Sequence, residues 1–416
     1  MTGSELESVE SHLARILEVT PTLPSERVTL DTATGRTLAA AVLAAVDIPV
    51  FENSAMDGFA VRFADVAGAS TDAPVQLTVI ADLPAGTGLN PTLQPGEAAR
   101  IMTGAPVPTD ADTIVPVEDT GGSLDDALES VVVLAAPARL GAHVRARGGD
   151  VLAGAIVLDA GTVLGPFQLG AIAAAGVGEV AVTGAPRIAI VSTGSELTEA
   201  GSPLAAGAIP ESNSWLLAAA ARAAGAEVVL RRSIPDDPAA LLALVTEATA
   251  LGLHAIVFTC GVSAGAYEVV KQAMVGMRFS RLAMQPGKPQ GFGVAGSGPS
   301  GRGMLLFGLP GNPVSAAVSF EVFVRPALLR MQGRASIHRP VMRVAAGTGW
   351  RTPPGRRQYL PATIDRTDPA AWRVVPATSG GSHLAGGLGR AEALAVVAAE
   401  VERVEPGDLV DVIVVS

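Results

Sequence analysis

Arg187-Ile-Ala-Ile-Val-Ser-Thr-Gly-Ser-Glu196 opens the stretch whose reading decides the fold. Residues 187–192 form a short apolar run of strand length, closed by a small-residue turn. A helical pattern follows over about 214–224 and stops at Gly225. Glu227-Val-Val-Leu230 repeats the strand signal, and Asp237-Pro238 supplies an N-cap and a first-turn proline for a second helix. His254-Ala-Ile-Val-Phe-Thr259 is the next strand, and residues 267–274 read as a short helix. Met304-Leu-Leu-Phe307 is the last strand, before a helix headed by Asn312 and Pro313. Strands alternating with helices predict a three-layer α/β domain on a mostly parallel sheet.

The texture differs on either side. Ser4-Glu5-Leu6-Glu7 has capping-box spacing, and Leu6, Val9, Leu13, Ile16 and Leu17 recur on one helical face, predicting a helix over about 5–18. A second helix is expected over about 35–45. Between residues 50 and 147, runs such as Val75–Ile80, Thr113–Val117 and Ser130–Leu134 alternate with turns, as in a small β-rich unit. Residues 151–182 read as strands around a short helix. After about residue 336 the helical pattern stops, and five apolar runs predict an all-β C-terminal domain.

Composition narrows the functions. A chain of 416 residues with 49% hydrophobic and 17% charged residues is a multidomain globular protein. A single cysteine, Cys260, excludes an intrachain disulfide and any multi-thiolate metal site. The five histidines never fall at metal-ligand spacing. The acidic N-terminus is no signal peptide, and no apolar run escapes interruption long enough to span a membrane, so a cytoplasmic protein is expected. A net charge of −11 disfavours nucleic acid as a partner. Of 29 basic residues only Lys271 and Lys288 are lysines. In so arginine-biased a chain, both become candidates for work that a planar guanidinium cannot do.

Ligands of open parallel sheets bind beyond the C-terminal strand ends. Three loops there combine small residues with hydroxyls or a helix start: Ser192-Thr193-Gly194-Ser195-Glu196, Gly261-Val-Ser263-Ala-Gly265 and Gly308-Leu-Pro310-Gly311-Asn312-Pro313. One such loop is an ordinary βα turn; three on one rim suit a phosphate or another oxyanion. Pro286-Gly287-Lys288-Pro289 adds a cation in a stiff turn. Glu196 beside a phosphate site is a candidate Mg²⁺ ligand, and Asp236 is freer to act than the capping Asp237. By spacing alone, Asn53–Gly58, Arg100–Pro106 and Arg145–Asp150 are only turns.

Taken together, Asn53-Ser-Ala-Met-Asp57-Gly58, Arg100-Ile-Met-Thr-Gly-Ala-Pro106, Arg147-Gly-Gly-Asp150, Ser192–Glu196, Gly261-Val-Ser263, Pro286-Gly-Lys-Pro289 and Gly308-Leu-Pro-Gly-Asn-Pro-Val-Ser315 resemble, in order, the motifs of the MoeA family, shared with the gephyrin E domain. The resemblance implies a molybdopterin molybdenumtransferase. Such an enzyme inserts molybdate into adenylylated molybdopterin and releases AMP, with Mg²⁺ assisting, as the last step of molybdenum cofactor assembly. It implies a discontinuous linker lobe I (1–26, 42–51, 151–184), a β-rich lobe II (27–41, 52–150), a MogA-like α/β molybdopterin-binding domain III (185–332) and a β-barrel-like domain IV (333–416). It also implies a homodimer with the active site between subunits, fed by a MogA-type adenylyltransferase and serving molybdoenzymes.

By motif match, Asp57, Thr103 and Asp150 from one subunit face Glu196, Lys271 and Lys288 of the other as catalytic residues. Thr193, Gly194, Ser195, Asp236, Gly261, Ser263, Gly265, Gly287, Pro310, Gly311, Asn312 and Pro313 hold the cofactor, and Glu196 with Glu268 holds the metal. One loop departs from the family pattern: Cys260 replaces a glycine, Ala266 an acid, and Glu268 stands where aspartate is usual. Two other readings stand beside this one, an adenylyltransferase of the preceding step and a cofactor-binding scaffold without turnover.

Overall fold

The computed structural model describes residues 6–123, 129–260, 276–296, 303–377, 381 and 384–415. At its centre lies a six-stranded sheet in the order Glu227–Ile234, Arg187–Thr193, Ala255–Cys260, Met304–Pro310, Pro289–Ala295, Arg278–Arg281. The first four strands are parallel, and Pro289–Ala295 runs antiparallel to both of its neighbours. Ile188, Ala189, Ile190 and Val191 are fully buried, as an unbroken apolar run requires when helices cover both faces. Leu217 and Ala218 of helix Asn213–Ala223, with Val314 and Val318 of helix Pro313–Ser319, fill one face. Leu241, Leu244 and Ala248 of helix Pro238–Ala250 fill the other. Each such leucine contributes about 2 kcal/mol of burial.

The antiparallel pair lies outside the strand runs read from sequence. Pro289–Ala295 carries a proline and two glycines, which weaken its strand signal, yet its glycines are what let it pack: a Cβ on Gly291 would lie 2.8 Å from the Phe279 ring.

Upstream, Thr113–Pro116, Gly58–Val61, Glu97–Ile101, Val75–Leu83 and Ser130–Val133 form a five-stranded sheet around Phe59, Leu77 and Val115. Downstream, Arg357–Asp365, Arg373–Pro376, Val341–Ala346, Leu409–Val414 and Ala393–Val397 close into a barrel, because the first also pairs with the last. Met284–Gln285 of the α/β region joins that barrel beside Arg357 and Gln358. The turn carrying Lys288 is thereby tied to two domains.

Three helix expectations change. The first helix runs Val9–Val19 with Ser8 as N-cap, its hydroxyl accepting from Ser11 N at 3.1 Å; Ser4 and Glu5 lie outside the described residues. No helix forms over 35–45, where Thr37 and Leu38 make β-bridges and Val42–Leu43 pairs with Ile156–Leu158. Leu38, Val42 and Ala44 are buried there, and tertiary pairing of that extended backbone overrides helix propensity. The C-terminal domain carries one helical turn, Ala385–Leu388. The helix expected over 267–274 lies outside the described residues. No described helix is long and apolar enough to cross a membrane.

His12 gives a pH prediction. Its ring is 1% exposed, stacks edge-on to Phe323 at 4.9 Å and accepts at Nδ1 from Arg15 Nη2 at 2.7 Å. Burial, then the Arg15 guanidinium, pushes its pKa down to about 4, with Glu7 opposing and Arg278 adding to the depression. A folded-state pKa below the unfolded value of about 6.5 means the unfolded chain takes up the extra proton. This contribution is whole above about pH 6.5 and is lost as pH falls toward 4, amounting to about 3 kcal/mol. Urea titrations at pH 7 and 4.5 should show His12→Gln losing correspondingly less stability than wild type on acidification. Equal losses would overturn the assignment.

Candidate active site

A cavity of about 510 Å³ opens at the C-terminal ends of the parallel strands. Thr193, Glu196, Gly311, Asn312 and Pro313 line it, as do Glu211, Asn213 and Thr259, with Ala385 reaching in from the barrel domain. The first loop turns tightly, Leu197 N donating to Gly194 O at 3.3 Å. The Glu196 carboxylate folds back over Gly194, where a Cβ would lie 2.7 Å from Oε2. Glu196 is exposed, and among the described residues it has no side-chain hydrogen bond or ion pair. Pro310 ends its strand beside Cys260, so the third loop begins three residues later than its sequence suggests.

Beneath the cavity floor lies a network missed by sequence reading. Glu211 is only 4% exposed. Its Oε1 accepts from Ser192 Oγ and Ser214 N, both at 2.7 Å, and its Oε2 from Ser214 Oγ at 2.5 Å. Thr259 Oγ1 donates to Ser192 Oγ at 3.1 Å, and Arg231 Nη1 to Ser214 Oγ at 2.9 Å. One carboxylate thus joins two strand ends to the start of helix Asn213–Ala223. Asn213 Nδ2 donates to Gly311 O at 2.6 Å, leaving its Oδ1 buried without a partner. Thr193 Oγ1 and Asp236 Oδ1 are also buried and unpartnered. Three such atoms around one strand-end rim are what a polar ligand would satisfy. The signal available in the sequence is Glu211-Ser-Asn213, a carboxylate two residues before an amide at the start of the helical pattern.

The Lys288 turn is fixed from below. Gln290, 1% exposed, donates from Nε2 to Gly287 O at 2.7 Å and to Ser319 Oγ at 2.6 Å. Gly287 has φ +99°, and a Cβ there would meet Ser319 Oγ at 2.9 Å. No hydrogen bond or ion pair holds the Lys288 ammonium among the described residues. Lys288→Arg should therefore leave the melting temperature unchanged while lowering turnover about tenfold, since a rigid fork cannot reproduce a compact charge. Wild-type turnover in that variant would refute a role for the ammonium.

In the upstream sheet, Asp57 and Thr103 come together. Gly58 pairs with Ile101, and Asp57 Oδ1 accepts from Thr103 N at 2.6 Å and Thr103 Oγ1 at 2.7 Å. The Thr103 amide, then its hydroxyl, holds the Asp57 carboxyl below the usual aspartate range. Gly58 is required for this geometry: a Cβ would sit 2.1 Å from Val115 O. Asp150 follows the strand Val144–Arg145 that pairs with Asn53–Ser54, and its backbone N donates to Ile48 O at 2.9 Å. Among the described residues, none of Asp57, Thr103 and Asp150 lines the 510 Å³ cavity. Ser195 is exposed at the turn before Glu196. Gly261, Ser263, Gly265, Ala266, Glu268 and Lys271 lie outside the described residues. There is no three-ligand His/Cys/Asp/Glu cluster among the described ones.

Comparison with known proteins covers most of the chain. Residues 7–176 match the family described as MoeA N-terminal region (domain I and II), residues 189–330 the probable molybdopterin binding domain, and residues 343–415 the MoeA C-terminal region (domain IV). Molybdopterin molybdenumtransferase 2 of Mycobacterium tuberculosis is 44% identical, over 86% of this chain and 88% of its own. Molybdopterin molybdenumtransferase 1 of the same organism is 34% identical over 98% of both. The crystal structure of the molybdopterin biosynthesis MoeA protein from Pyrococcus horikoshii superposes with a TM-score of 0.84 at 26% identity, covering 99% of this chain and 100% of that one.

Proposed function

The chain belongs to the MoeA family of molybdopterin molybdenumtransferases, and from that membership we propose the substrates and the residues that handle them. It is a transferase of molybdenum cofactor biosynthesis. The molybdopterin enters as its adenylyl ester, molybdate is inserted at the dithiolene, and AMP leaves. The observation that carries this reading is the strand-end cavity, whose rim joins Thr193, Glu196, Asn213 and Asn312 around buried polar atoms without partners.

Backbone N–H groups of the 193–196 and 311–313 turns, with Lys288, hold the phosphates. The free oxygen of Asn213 accepts from the pterin edge. A Mg²⁺ ion would be held by Glu196 with Glu268, and Asp236 stands on the same strand-end rim; this cation takes one or two carboxylates plus waters and phosphate oxygens. Asp236 Oδ1 is buried and uncommitted, and Glu196 is free. When bound, the ion neutralises phosphoanhydride charge. Glu268, Lys271, Gly261, Ser263 and Gly265 complete the rim in this reading, and Lys271 supplies a donor to the molybdate dianion. No covalent nucleophile is needed; positioning and fixed electrostatics carry the rate.

In this reading the Asp57–Thr103 pair and Asp150, which do not line the strand-end cavity, meet it across a dimer, and the active centre is built between two copies in the cytoplasm. A MogA-type protein supplies the adenylylated substrate, and molybdoenzymes receive the product. The four-lobe division at 1–26/42–51/151–184, 27–41/52–150, 185–332 and 333–416 is part of this proposal. Molybdate-dependent AMP release by the purified protein tests the reading. ATP consumption with free molybdopterin would instead move the activity to the preceding step, and neither reaction would leave a binding protein.

A further inference from the structure

A second polar cavity, again about 510 Å³, lies where the segment 34–37 meets the end of helix Asn213–Ala223 and the chain after helix Arg325–Met331. Arg36, Arg222 and Arg334 line it, and no aspartate or glutamate does among the described residues. In a chain of net charge −11, three guanidiniums gathered around one opening are against the trend.

The arrangement is built. Arg334 points its Nε and Nη2 at Gln332 Oε1, 3.2 and 3.0 Å away. Gln332 is 4% exposed and is itself anchored to Ala224 O at 2.7 Å and Leu328 O at 3.0 Å. Gly225, at φ +81°, permits this closeness, since a Cβ would lie 2.7 Å from Gln332 Oε1. Arg36 is shared between Glu26 and Thr183 O, the latter at 3.1 Å. The Arg222 side chain makes no ion pair or hydrogen bond among the described residues, and Arg334 makes no ion pair. Thr37, 1% exposed, borders the same cavity with a hydroxyl that has no partner.

A helix C-terminus attracts cations, which accounts for Arg222 and Arg334. It does not account for Arg36, which arrives from another lobe, for the orphaned Thr37 hydroxyl, or for the open volume. Arginine keeps its charge at any physiological pH and presents five donors, of which Arg334 spends two here. Burial and then the Arg325 guanidinium lower the Arg334 pKa, as expected of a cation lacking a counter-ion.

We infer that this crevice is a second anion site, for a tetrahedral oxyanion or the phosphate end of a small molecule, bridging Arg222 and Arg334 on one side and Arg36 and Thr37 on the other. Binding there would clamp the linker region to the α/β domain. It uses no residue of the strand-end cavity and does not depend on the transferase reading.

The test uses the full chain and two probes. Crystals soaked in tungstate should show an anomalous peak between Arg222 and Arg334, in wild type and in Glu196→Gln alike. Inorganic phosphate should raise the melting temperature of wild type. In Arg222→Gln, whose exposed side chain makes no described contact, that rise should fall by at least about half, one of three cations being lost. No tungstate peak at the arginines, or an undiminished phosphate shift in Arg222→Gln, would overturn the site. A peak with tungstate and no stabilisation by phosphate assigns the crevice to the larger metal oxyanions.

Discussion

Heterodimers pairing an Asp57→Asn subunit with a Glu196→Gln subunit are expected to recover about half of wild-type AMP release, although each homodimer is nearly inactive. Each substitution removes a charged group from the proposed centre, and single groups of this kind are worth about 10²–10³ in kcat. Neither should unfold the chain. Asp57 is exposed, and an asparagine keeps the oxygen that accepts from Thr103 N and Oγ1. Glu196 is exposed and has no described partner to lose. If the centre is assembled across the two-fold axis, one site of the heterodimer carries both substitutions and the other carries neither. Co-expression with two affinity tags isolates the mixed species, and its activity is read against both parents. Activity no higher than the parents, in a verified heterodimer, would place both groups in a site within one subunit.

The α/β domain was legible because its signals are local. Unbroken apolar runs of strand length read as strands covered on both faces, because Gly225, Asp237-Pro238 and Asn312-Pro313 punctuate them where the helices end and begin. The strand-end loops followed from topology, and Thr193, Glu196, Gly311, Asn312 and Pro313 do line one cavity. What failed was non-local. Residues 35–45 have the composition of a helix, yet their N–H groups find Thr162, Ala181, Ala155 and Ala175 as distant acceptors. The glycine-rich strand 289–295 is defined by what packs on it, which no propensity records. Asp57 meets Thr103 across 46 residues, so only the family resemblance could single the two out.

Glu211 was the least legible of all, and its removal is expected to have the largest effect on stability. Glu211→Ala leaves Ser192 Oγ, Ser214 N and Ser214 Oγ without their acceptor in surroundings where Ser192 and Ser214 are at most 1% exposed. Each orphaned buried donor costs about 1–3 kcal/mol, so the loss should reach about 3–5 kcal/mol. Glu211→Gln separates this from simple loss of volume. Its carbonyl oxygen can still accept from Ser192 Oγ and Ser214 N, and its amide can donate to Ser214 Oγ, so the loss should fall to about 1 kcal/mol. Urea unfolding followed by tryptophan fluorescence measures this loss; one of the three tryptophans, Trp215, lies next to Ser214 with the Arg231 guanidinium 3.8 Å from its ring centre. Because Ser192 precedes Thr193 and Thr259 ends on the same rim, the alanine variant should also weaken substrate binding at urea-free conditions, raising KM more than it lowers kcat. Wild-type stability in the alanine variant would show that the network is a passenger of the fold. A glutamine variant as unstable as alanine would show that the negative charge, held near Arg231, is what the strand ends require.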